Sequence, residues 1–383
     1  MRLLHTSDWH LGRFFHGEDL LPAQATFLDF LAETVRDEGV DVVLVSGDIF
    51  DRALPRVDAV SLLSDGLRRL VDAGAQVVAI SGNHDSARRL GFGADLIAAS
   101  GVHLRTDPAA AAKPVVLHDE HGPVAVYAVP YLEPDLTKDV VGAAANTHAD
   151  VMAAAVRSVR ADIDRRRGTR SVVLAHAFVS GGQTCESERD VSVGGVATVP
   201  LSTFDEMSYA ALGHLHGRQT LADGVRYSGS PLAFSFSEHH HVKGCWLVDL
   251  GSSAVDAVHA FETPVPRRVA RINGSLDDLL GSSQYSSYED CWLHVTLTDA
   301  VRPREPMDRL RSRFPHTLML TFAPAGVAGE QSASTYTARL QGRSDLDIAL
   351  GFVEHVRQRR ADDDERTLLD DAFAAVRAAE TAI

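Results

Sequence analysis

Five short apolar runs, each followed directly by a histidine, an aspartate or an asparagine, restrict the possible folds of this chain more than any other pattern in it. The runs are RLLHTSD, VDVVLVSGD, AQVVAISGNHD, SVVLAHAF and YAALGHLH. Segments of helical periodicity lie between them, over residues 22–38, 57–73, 87–100 and 149–167. This alternation predicts a layered α/β domain. Because ligands in α/β sheets bind beyond the carboxyl ends of the strands, we expect the polar residues to converge on one site.

The third run leads into a glycine, an asparagine, a histidine and an aspartate, in the segment VVAISGNHDSA. Asn83 and Asp85 suit a polar turn that caps a helix, which is a common role for these residue types. His84 lies between them and has a structural explanation of the same kind. Each polar strand end can therefore be explained alone, whereas the five together favour a shared site.

The composition is that of a folded domain without membrane segments. Hydrophobic residues make up 45% of the 383 residues, and no apolar stretch approaches the ~20 residues that span a bilayer. The start, MRLLHTSDWHLGR, has a histidine and an aspartate where a signal peptide has its apolar region. We therefore expect a cytoplasmic protein with no membrane contact. Its cysteines, Cys185, Cys245 and Cys291, lack CxxC spacing and are expected to be reduced thiols.

The formal net charge of −15 argues against nucleic-acid binding, because affinity for DNA depends on lysine and arginine neutralising phosphates. Arginine is nevertheless clustered locally. The clusters lie at Arg165, Arg166, Arg167 and Arg170, at Arg267, Arg268 and Arg271, and within residues 302–313. Each cluster alone is more typical of a solvated face than of a DNA contact.

The character of the sequence changes near FETPVPRRVARING, where two prolines and a cluster of charge indicate a boundary. The strand-like CWLHVTLTD, the helical PMDRLRSRF and the strand-like HTLMLTFAPAG then predict a smaller α/β unit. Two helices with apolar stripes close the chain, and such stripes pack on the same protein or bind a partner. We expect domains over residues 1–262, 263–342 and 343–383.

The polar strand ends form an ordered set with a known counterpart. They are Asp8 and His10 in SDWH, Asp48 in SGDIFD, Asn83, His84 and Asp85 in SGNHD, His176 in LAHAF, and His214 and His216 in LGHLH. In order, spacing and strand-end placement the sequence resembles the calcineurin-like metallophosphoesterase superfamily. Within it, HTSDWHLGR, VSGDIFD, ISGNHDS, ALGHLH and YSGSPLAFSFSE resemble the SbcD family of bacterial nuclease subunits. The resemblance implies a layered β-sandwich flanked by helices, a small α/β cap domain and C-terminal helices.

The resemblance also implies a centre of two divalent metal ions. One ion would be held by Asp8, His10, Asp48 and His216, and the other by Asp48, Asn83, His176 and His214. Asp48 would bridge them, and a hydroxide held between the metals would attack the phosphate. His84 would stabilise the phosphate or protonate the leaving oxygen, and Asp85 would orient the His84 ring. Mixed imidazole and oxygen ligands suit Mn²⁺, Fe²⁺ or Zn²⁺, of which we expect Mn²⁺.

The function implied by the resemblance is that of a DNA exonuclease and endonuclease in repair and recombination. It would act on double-strand ends, hairpins and single strands, as a homodimer within a heterotetramer with an SbcC-like ABC-type ATPase that carries a coiled coil. The C-terminal helices would bind that ATPase. A phosphatase or a cyclic-nucleotide phosphodiesterase would use the same metal site, because the motifs act only on the phosphoryl group. A noncatalytic scaffold that recognises DNA ends is a third interpretation.

Overall fold

The structure is a computed structural model that describes residues 1–188, 198–324, 345–357 and 360–381. Its strands are β1 (Arg2–Thr6), β2 (Phe14–Phe15), β3 (Glu18–Asp19), β4 (Val42–Ser46), β5 (Gln76–Ile80), β6 (Val102–Arg105), β7 (Val115–Asp119), β8 (Gly122–Val129), β9 (Arg170–His176), β10 (Tyr209–Gly213), β11 (Gln219–Ala222), β12 (Val225–Tyr227), β13 (Gly244–Leu250), β14 (Val255–Glu262), β15 (Val269–Gly274), β16 (Trp292–Leu297) and β17 (Thr317–Phe322). Its α-helices are α1 (Leu21–Glu38), α2 (Val57–Asp72), α3 (Ala87–Leu90), α4 (Ala94–Ile97), α5 (Pro134–Val141), α6 (His148–Arg165), α7 (Leu276–Gly281), α8 (Pro306–Arg311), α9 (Asp345–Arg357) and α10 (Asp363–Thr381). Within the described ranges, no helix combines the length and the apolar character needed to cross a bilayer.

Two mixed sheets of six strands each make up most of the described chain. The first has the order β14–β13–β1–β4–β5–β6, in which β1, β4, β5 and β6 run parallel. The second has the order β11–β12–β10–β9–β8–β7, in which β8, β9, β10 and β12 run parallel. Parallel strands buried on both faces have continuous apolar sequences. The five apolar runs are β1, β4, β5, β9 and β10, and the predicted layered α/β fold is confirmed.

The two sheets pack face to face around a shared apolar core. Its members include Leu3, Leu44 and Ile80 from the first sheet and Val126, Leu174 and Tyr209 from the second. Polar groups also link the sheets. The Tyr209 hydroxyl donates to Nδ1 of His5 at 2.9 Å, and Nε2 of His5 donates to the Leu212 carbonyl at 3.1 Å. The Ser46 hydroxyl donates to the Ala211 carbonyl at 2.8 Å, so the two sheets are fixed relative to each other.

Helices cover both outer faces of the sandwich. Apolar side chains of α1 and α2, among them Phe27, Leu31 and Leu63, pack against Val43 and Val77 of the first sheet. The buried stripe of α6, which includes Val151, Val156 and Val159, packs on the second sheet. The layers therefore follow the order helix, sheet, sheet, helix, which is the sandwich that the sequence resemblance implied.

A small parallel sheet of β15, β16 and β17 follows the sandwich. Leu293, Val295 and Phe314 lie in its own apolar cluster, where α7 and α8 pack. A second cluster joins Val269 and Trp292 of this sheet to the loop between β12 and β13. The small sheet thus forms one compact unit with the sandwich, Met1–Phe322, and Ala323–Ile383 form a second. The boundaries predicted at residues 262 and 342 stay a prediction, and residue 342 lies outside the described residues.

The prediction of one continuous helix over residues 87–100 is wrong. Two short helices, α3 and α4, and a 3₁₀ turn replace it. Gly93, directly before α4, has a φ of 74°, a left-handed conformation that a continuous right-handed helix cannot contain. A Cβ at Gly91 would overlap the Thr106 hydroxyl, so this position is a close approach of two chain segments.

A buried arginine ties the edges of the two sheets together. Arg170, at the start of β9 in the second sheet, binds the Asp119 carboxylate through both of its Nη atoms. Its Nη1 also donates to the Gly251 carbonyl at 2.8 Å, directly after β13 of the first sheet. The hydrogen bond from Arg170 holds the pKa of Asp119 well below its usual range.

We predict that Asp119→Asn lowers the free energy of unfolding by roughly 3 kcal/mol at neutral pH, because it leaves the buried Arg170 charge unpaired. The folded-state pKa of Asp119 is depressed, so its contribution is fully present above the unfolded-state pKa of about 3.9. It is lost as the pH falls toward the lower folded-state pKa. Urea unfolding of both proteins across the acid range measures this difference.

The matched control is Asp249→Asn, which removes the partner of the partly exposed Arg2 and is expected to change stability by less than about 1 kcal/mol. A loss for Asp119→Asn as small as that of the control would contradict the prediction.

Candidate metal centre

Strand ends from both sheets meet at one edge of the sandwich, and the predicted site residues lie there. The first sheet contributes the segments after β1, β4 and β5, and the second contributes the end of β9 and the segment after β10. All of the predicted residues occupy these positions: Asp8, His10, Asp48, Asn83, His84, Asp85, His176, His214 and His216. Asn83 and Asp85 are partly exposed, and the others are buried.

Two glycines allow the loops to come this close. A Cβ at Gly213 would overlap the carbonyl oxygen of Ser46, and one at Gly82 would overlap the Asp48 carboxylate. A side chain at either position would push the two segments apart. Gly213 ends β10 and Ser46 ends β4, so this contact joins strands of opposite sheets at the point where their polar residues follow.

The backbone is strained at four of the predicted ligands. Asp8, His10, Asp48 and His214 have φ values of 53°, 45°, 49° and 107°. Positive φ is uncommon for residues other than glycine, and such strain is concentrated at functional sites. Main-chain contacts hold the strained residues, since the N–H of His10 donates to the Asp48 carbonyl at 3.0 Å. The N–H of His214 donates to the Asp8 carboxylate at 3.1 Å.

One group of donor atoms lies around His10. Its Nε2 is 3.2 Å from Nε2 of His216 and 3.6 Å from Oδ2 of Asp48. Donor atoms of Asp8, His10 and His216 all lie within 4.8 Å of one another. These four side chains are the set that the sequence predicts for one metal.

A second group lies around the Asn83 side chain. Its Oδ1 is 2.9 Å from Nε2 of His176 and 3.1 Å from Nδ1 of His214. Nε2 of His176 is also 3.6 Å from Oδ2 of Asp48. Asp48 is therefore the carboxylate next to both groups, the position required of a bridging ligand.

The hydrogen bonds of His176 test whether a cation fits this second group. Its Nδ1 lies 2.8 Å from the Ser46 carbonyl, which can only accept, so Nδ1 carries the ring proton. Burial lowers the pKa of His176 to about 4, so the ring is neutral at pH 7 and its Nε2 has a lone pair. That lone pair faces the Asn83 oxygen, another acceptor, at 2.9 Å. Two facing acceptors repel each other, and a divalent metal bound by both atoms would offset that repulsion, so a metal fits this arrangement.

The charges of the site also suit metal binding. Burial, followed by the positive charge of neighbouring histidines, lowers the pKa of His10 and His214 well below the ordinary value. Neutral imidazoles are the form that binds metals. Burial, followed by the negative charge of Asp48, raises the pKa of Asp8 well above its usual range. A cation between the two carboxylates would remove that repulsion.

His84 lies at the edge of both donor groups. Its N–H donates to Oδ1 of Asp48 at 2.8 Å, and its Nε2 is 4.0 Å from Oδ2 of that carboxylate. Its Nδ1 is 2.9 Å from the main-chain carbonyl of Asp51, so Nδ1 donates and Nε2 is turned toward Asp48. The ring is 4.6 Å from the His10 ring, edge to face.

The hydrogen bonds of Asp85 indicate how it would orient the His84 ring. The Asp85 carboxylate accepts main-chain N–H groups of Ile49, Phe50 and Gly82 at 2.8–3.0 Å. It therefore fixes the loop after β4, and the next residue of that loop supplies the carbonyl that holds His84. Burial, and then the Asp48 charge, raises the pKa of Asp85 to about 6.

A chain of buried polar groups determines which nitrogen of His216 carries the proton. Lys243 forms an ion pair with Glu238 and donates to Ser230 at 2.9 Å. Burial raises the pKa of Glu238, but the Lys243 charge outweighs this and holds it well below its usual range. Ser187 donates to Glu238 at 2.6 Å and is 2.7 Å from Nδ1 of His216. Nδ1 of His216 is therefore the donor, and Nε2 presents its lone pair to His10.

Several of these groups were not identified from the sequence. They are Ser46, Ser187, Ser230, Glu238 and Lys243, together with Glu188, whose carboxylate accepts the His216 N–H at 2.7 Å. Glu238 ends the stretch YSGSPLAFSFSE, which was recognised only as part of a resemblance, whereas Ser187 lies in a polar loop with no signal. Cys185 is 3.0 Å from Ser187, and burial raises the pKa of its thiol to about 12. All three cysteines are free, as predicted.

Comparisons with known proteins agree with this geometry. Residues 1–218 match the family model of the calcineurin-like phosphoesterases. Residues 265–357 match the SbcD C-terminal model, described as the type 5 capsule protein repressor C-terminal domain.

Similar solved structures include TT1561 of Thermus thermophilus, which is 14% identical over 68% of this chain and 98% of that chain, with a TM-score of 0.40. GAP50, the anchor in the inner membrane complex of Plasmodium, is 11% identical over 87% and 99%, with a TM-score of 0.41. A dimetal phosphatase from Danio rerio is 13% identical over 69% and 99%, with a TM-score of 0.37.

We predict that Ser187→Ala weakens metal binding about 10- to 100-fold, because the Nδ1 proton of His216 loses its acceptor. Ser187→Thr keeps the hydroxyl and is expected to bind metal like the parent. Calorimetric titration of the metal-free proteins with Mn²⁺ measures both. Equal affinity for the alanine variant and the parent would show that the hydroxyl does not act through His216.

Proposed function

Because the chain belongs to the calcineurin-like phosphoesterase family, and is accordingly a metal-dependent phosphoesterase, we propose that it is a binuclear DNA nuclease of the SbcD type. The proposed reaction is hydrolysis of DNA phosphodiesters, as an exonuclease and an endonuclease, in the processing of DNA ends and hairpins. The observation that carries the proposal is a complete set of metal donors around Asp48, in a chain whose residues 265–357 match the SbcD C-terminal model.

The small sheet supports this proposal by its position beside the donor groups. Val269 and Trp292 of that sheet share an apolar cluster with Phe234. The Phe234 ring lies 5.0 Å from the His10 ring and 5.4 Å from the His216 ring. The domain that distinguishes the SbcD type from other phosphoesterases thus borders the site through one aromatic side chain.

Local positive charge answers the objection raised by the acidic composition. Arg13 lies over the Phe234 ring at 4.7 Å and pairs with Asp51 at 3.1 Å, close to His10. Arg268 and Arg271 line a cavity of about 560 Å³, which the small sheet shares with the loop before β13. Bound divalent cations would add further positive charge at the donor groups. Because Arg13 and Arg271 are paired with Asp51 and Glu186, bound cations would supply most of the positive charge that a phosphate meets at this edge.

The proposed roles of the side chains follow from their positions. Asp8, His10, Asp48 and His216 would hold one metal, and Asp48, Asn83, His176 and His214 the other. Metals bound there would polarise the phosphate and lower the pKa of the attacking water. Mixed nitrogen and oxygen donors suit Mn²⁺, Fe²⁺ or Zn²⁺, and we propose Mn²⁺. The two carboxylates, the Asn83 amide and the four imidazoles give each ion both oxygen and nitrogen donors.

His84 is the proposed catalytic residue among the side chains outside the donor set. The Asp51 carbonyl holds its Nδ1 proton, so Nε2 faces the centre. With a second proton on Nε2, the imidazolium form of the ring could stabilise charge on the phosphate or give that proton to the leaving oxygen. Asp85 acts through the loop that carries the Asp51 carbonyl, and is a positioning residue.

We also propose that the chain forms a homodimer. Large apolar side chains are exposed at the start of α2 and along α3 and α4, where Arg89 donates to the Ala53 carbonyl and links the two segments. They are Leu54, Val57, Val60, Phe92 and Leu96. A second copy would cover such a surface. A monomer by light scattering at micromolar concentration would contradict this.

The proposed ATPase partner would bind the second compact unit. Phe352 of α9 and Leu368 of α10 are 57% and 72% exposed, which leaves apolar surface for a partner helix. Val356 and Val376 of the predicted stripes lie outside the described side chains. The partner would be an SbcC-like ABC-type ATPase with a coiled coil, in a heterotetramer. Absence of binding to such an ATPase in a pull-down would contradict this proposal.

We predict that the protein with Mn²⁺ cleaves labelled hairpin, single-stranded and blunt duplex DNA, and a small chromogenic phosphodiester. Asp48→Asn is expected to lose both metals together and all cleavage, because both donor groups share its carboxylate. The control Asp65→Asn, at an exposed ion pair, is expected to match the parent. Cleavage of small esters alone would favour a phosphatase or cyclic-nucleotide phosphodiesterase, and DNA binding without cleavage would favour a scaffold.

We predict that His84→Gln keeps both metals and binds DNA, yet cleaves about 10² to 10⁴ times more slowly, the usual effect of losing a positioned acid or base. Single-turnover cleavage separates this loss from binding. His259→Gln, at an exposed histidine of β14, is the matched control. If His84→Gln cleaved at the parental rate with both metals bound, its imidazole would have only a structural role.

A further inference from the structure

A second cavity, of about 670 Å³, opens beside Asn83, and the proposed metal binding and hydrolysis do not involve it. Its volume lies in the range of about 300–1,000 Å³ that is usual for ligand sites. Gly82, Asn83 and Asp85 from the loop after β5 form one side, and Tyr131 and the residues of α5 form another. Because Asn83 also faces His176 and His214, the cavity and the donor groups share a wall.

Tyr131 is held in place at the junction of the cavity and the donor groups. Its N–H donates to the Ser81 carbonyl at 2.8 Å, and its hydroxyl donates to Glu133 at 3.2 Å. Its ring meets the His176 ring edge to face, with 6.2 Å between the centroids. The Tyr131 ring therefore packs against the proposed metal ligand His176 and is partly exposed to the cavity.

The lining of the cavity is apolar and acidic rather than cationic. Leu136 and Val140 of α5 are 76% and 50% exposed at its wall. Asp107 and Glu133 supply carboxylates, whereas the Asp85 carboxylate is taken up by main-chain N–H groups, and Arg88 is the cation among the lining residues. Such a surface does not attract a phosphate. It suits a flat, uncharged ring whose amino groups can donate to carboxylates.

We propose that this cavity is a nucleobase subsite, which holds a base of the nucleotide next to the phosphate being cut. The proposal rests on the proposed function, since it takes DNA as the substrate. Bases stack on tyrosine rings without regard to sequence, and exocyclic amino groups donate to carboxylates. A base bound in this cavity must be unstacked from its neighbours. The free energy of unstacking is smallest in a single strand, a frayed end or a hairpin loop.

The test uses single-stranded oligonucleotides in which an abasic residue replaces the nucleotide on either side of one labelled scissile phosphate. At one of the two positions, the parental protein is expected to cut the abasic strand about 5- to 100-fold more slowly, the effect of losing one base–aromatic stack. Tyr131→Phe keeps the ring and is expected to retain this discrimination. Tyr131→Ala is expected to cut both strands at the same slow rate.

Leu136→Asp provides a second variant at an exposed position, where folding is not at risk, and it is expected to reduce the discrimination as Tyr131→Ala does. Val301→Asp, at an 80% exposed valine remote in sequence, is its control and is expected to behave like the parent. Equal cutting of abasic and normal strands by the parent would overturn the subsite while leaving the nuclease intact. Discrimination that persists in both Tyr131→Ala and Leu136→Asp would also overturn it. Cleavage of the small ester but of no DNA would instead reject the proposed function, and the subsite with it.

Discussion

Two buried carboxylates, Asp8 and Asp48, lie beside His10 and His214, whose pKa values burial lowers, and the balance of this negative charge determines the stability of the site on which both sheets converge. Burying an unpaired charge is strongly destabilising, so the site is stable only with a compensating cation or with a proton on one carboxylate. The raised pKa of Asp8 reflects the second solution, and the facing acceptors of His176 and Asn83 favour the first. Metal binding in such a site also stabilises the fold, because the unfolded chain has no preformed set of donors.

Much of the fold and of the site was predictable from the sequence, for a physical reason. A strand buried on both faces has an uninterrupted apolar sequence, so the polar residue that follows it is conspicuous. Asp48 after β4 and His176 at the end of β9 are examples. The pairing of strands within the sheets was harder to predict, since β13 pairs with β1 although more than half the chain separates them. Nothing local in the sequence specifies such a pairing.

Sequence reasoning identified the candidate ligands but missed the residues that form hydrogen bonds to them. Glu238 and Lys243 lie in the loop before β13 and Ser187 lies about 50 residues earlier, and no spacing in the sequence brings these two segments together at His216. The route by which Asp85 would orient His84 was missed for a related reason. Its carboxylate accepts the amides of Ile49 and Phe50 in the loop that leads to the Asp51 carbonyl, and no local pattern in the sequence predicts this contact. The broken helix after residue 87 reflects glycines whose conformation depends on tertiary contacts.

The hydrogen bond between His84 and residue 51 uses the main-chain carbonyl, and this has a consequence for how the position can vary. Every amino acid offers the same carbonyl, so the side chain at residue 51 can change while the ring keeps its orientation. Substitutions there would alter the ion pair with Arg13 and leave the hydrogen bond to His84 intact. Side-chain substitutions at residue 51 would therefore not reveal the hydrogen bond that orients the ring. A change in the path of the loop, such as an insertion between residues 48 and 51, would expose it.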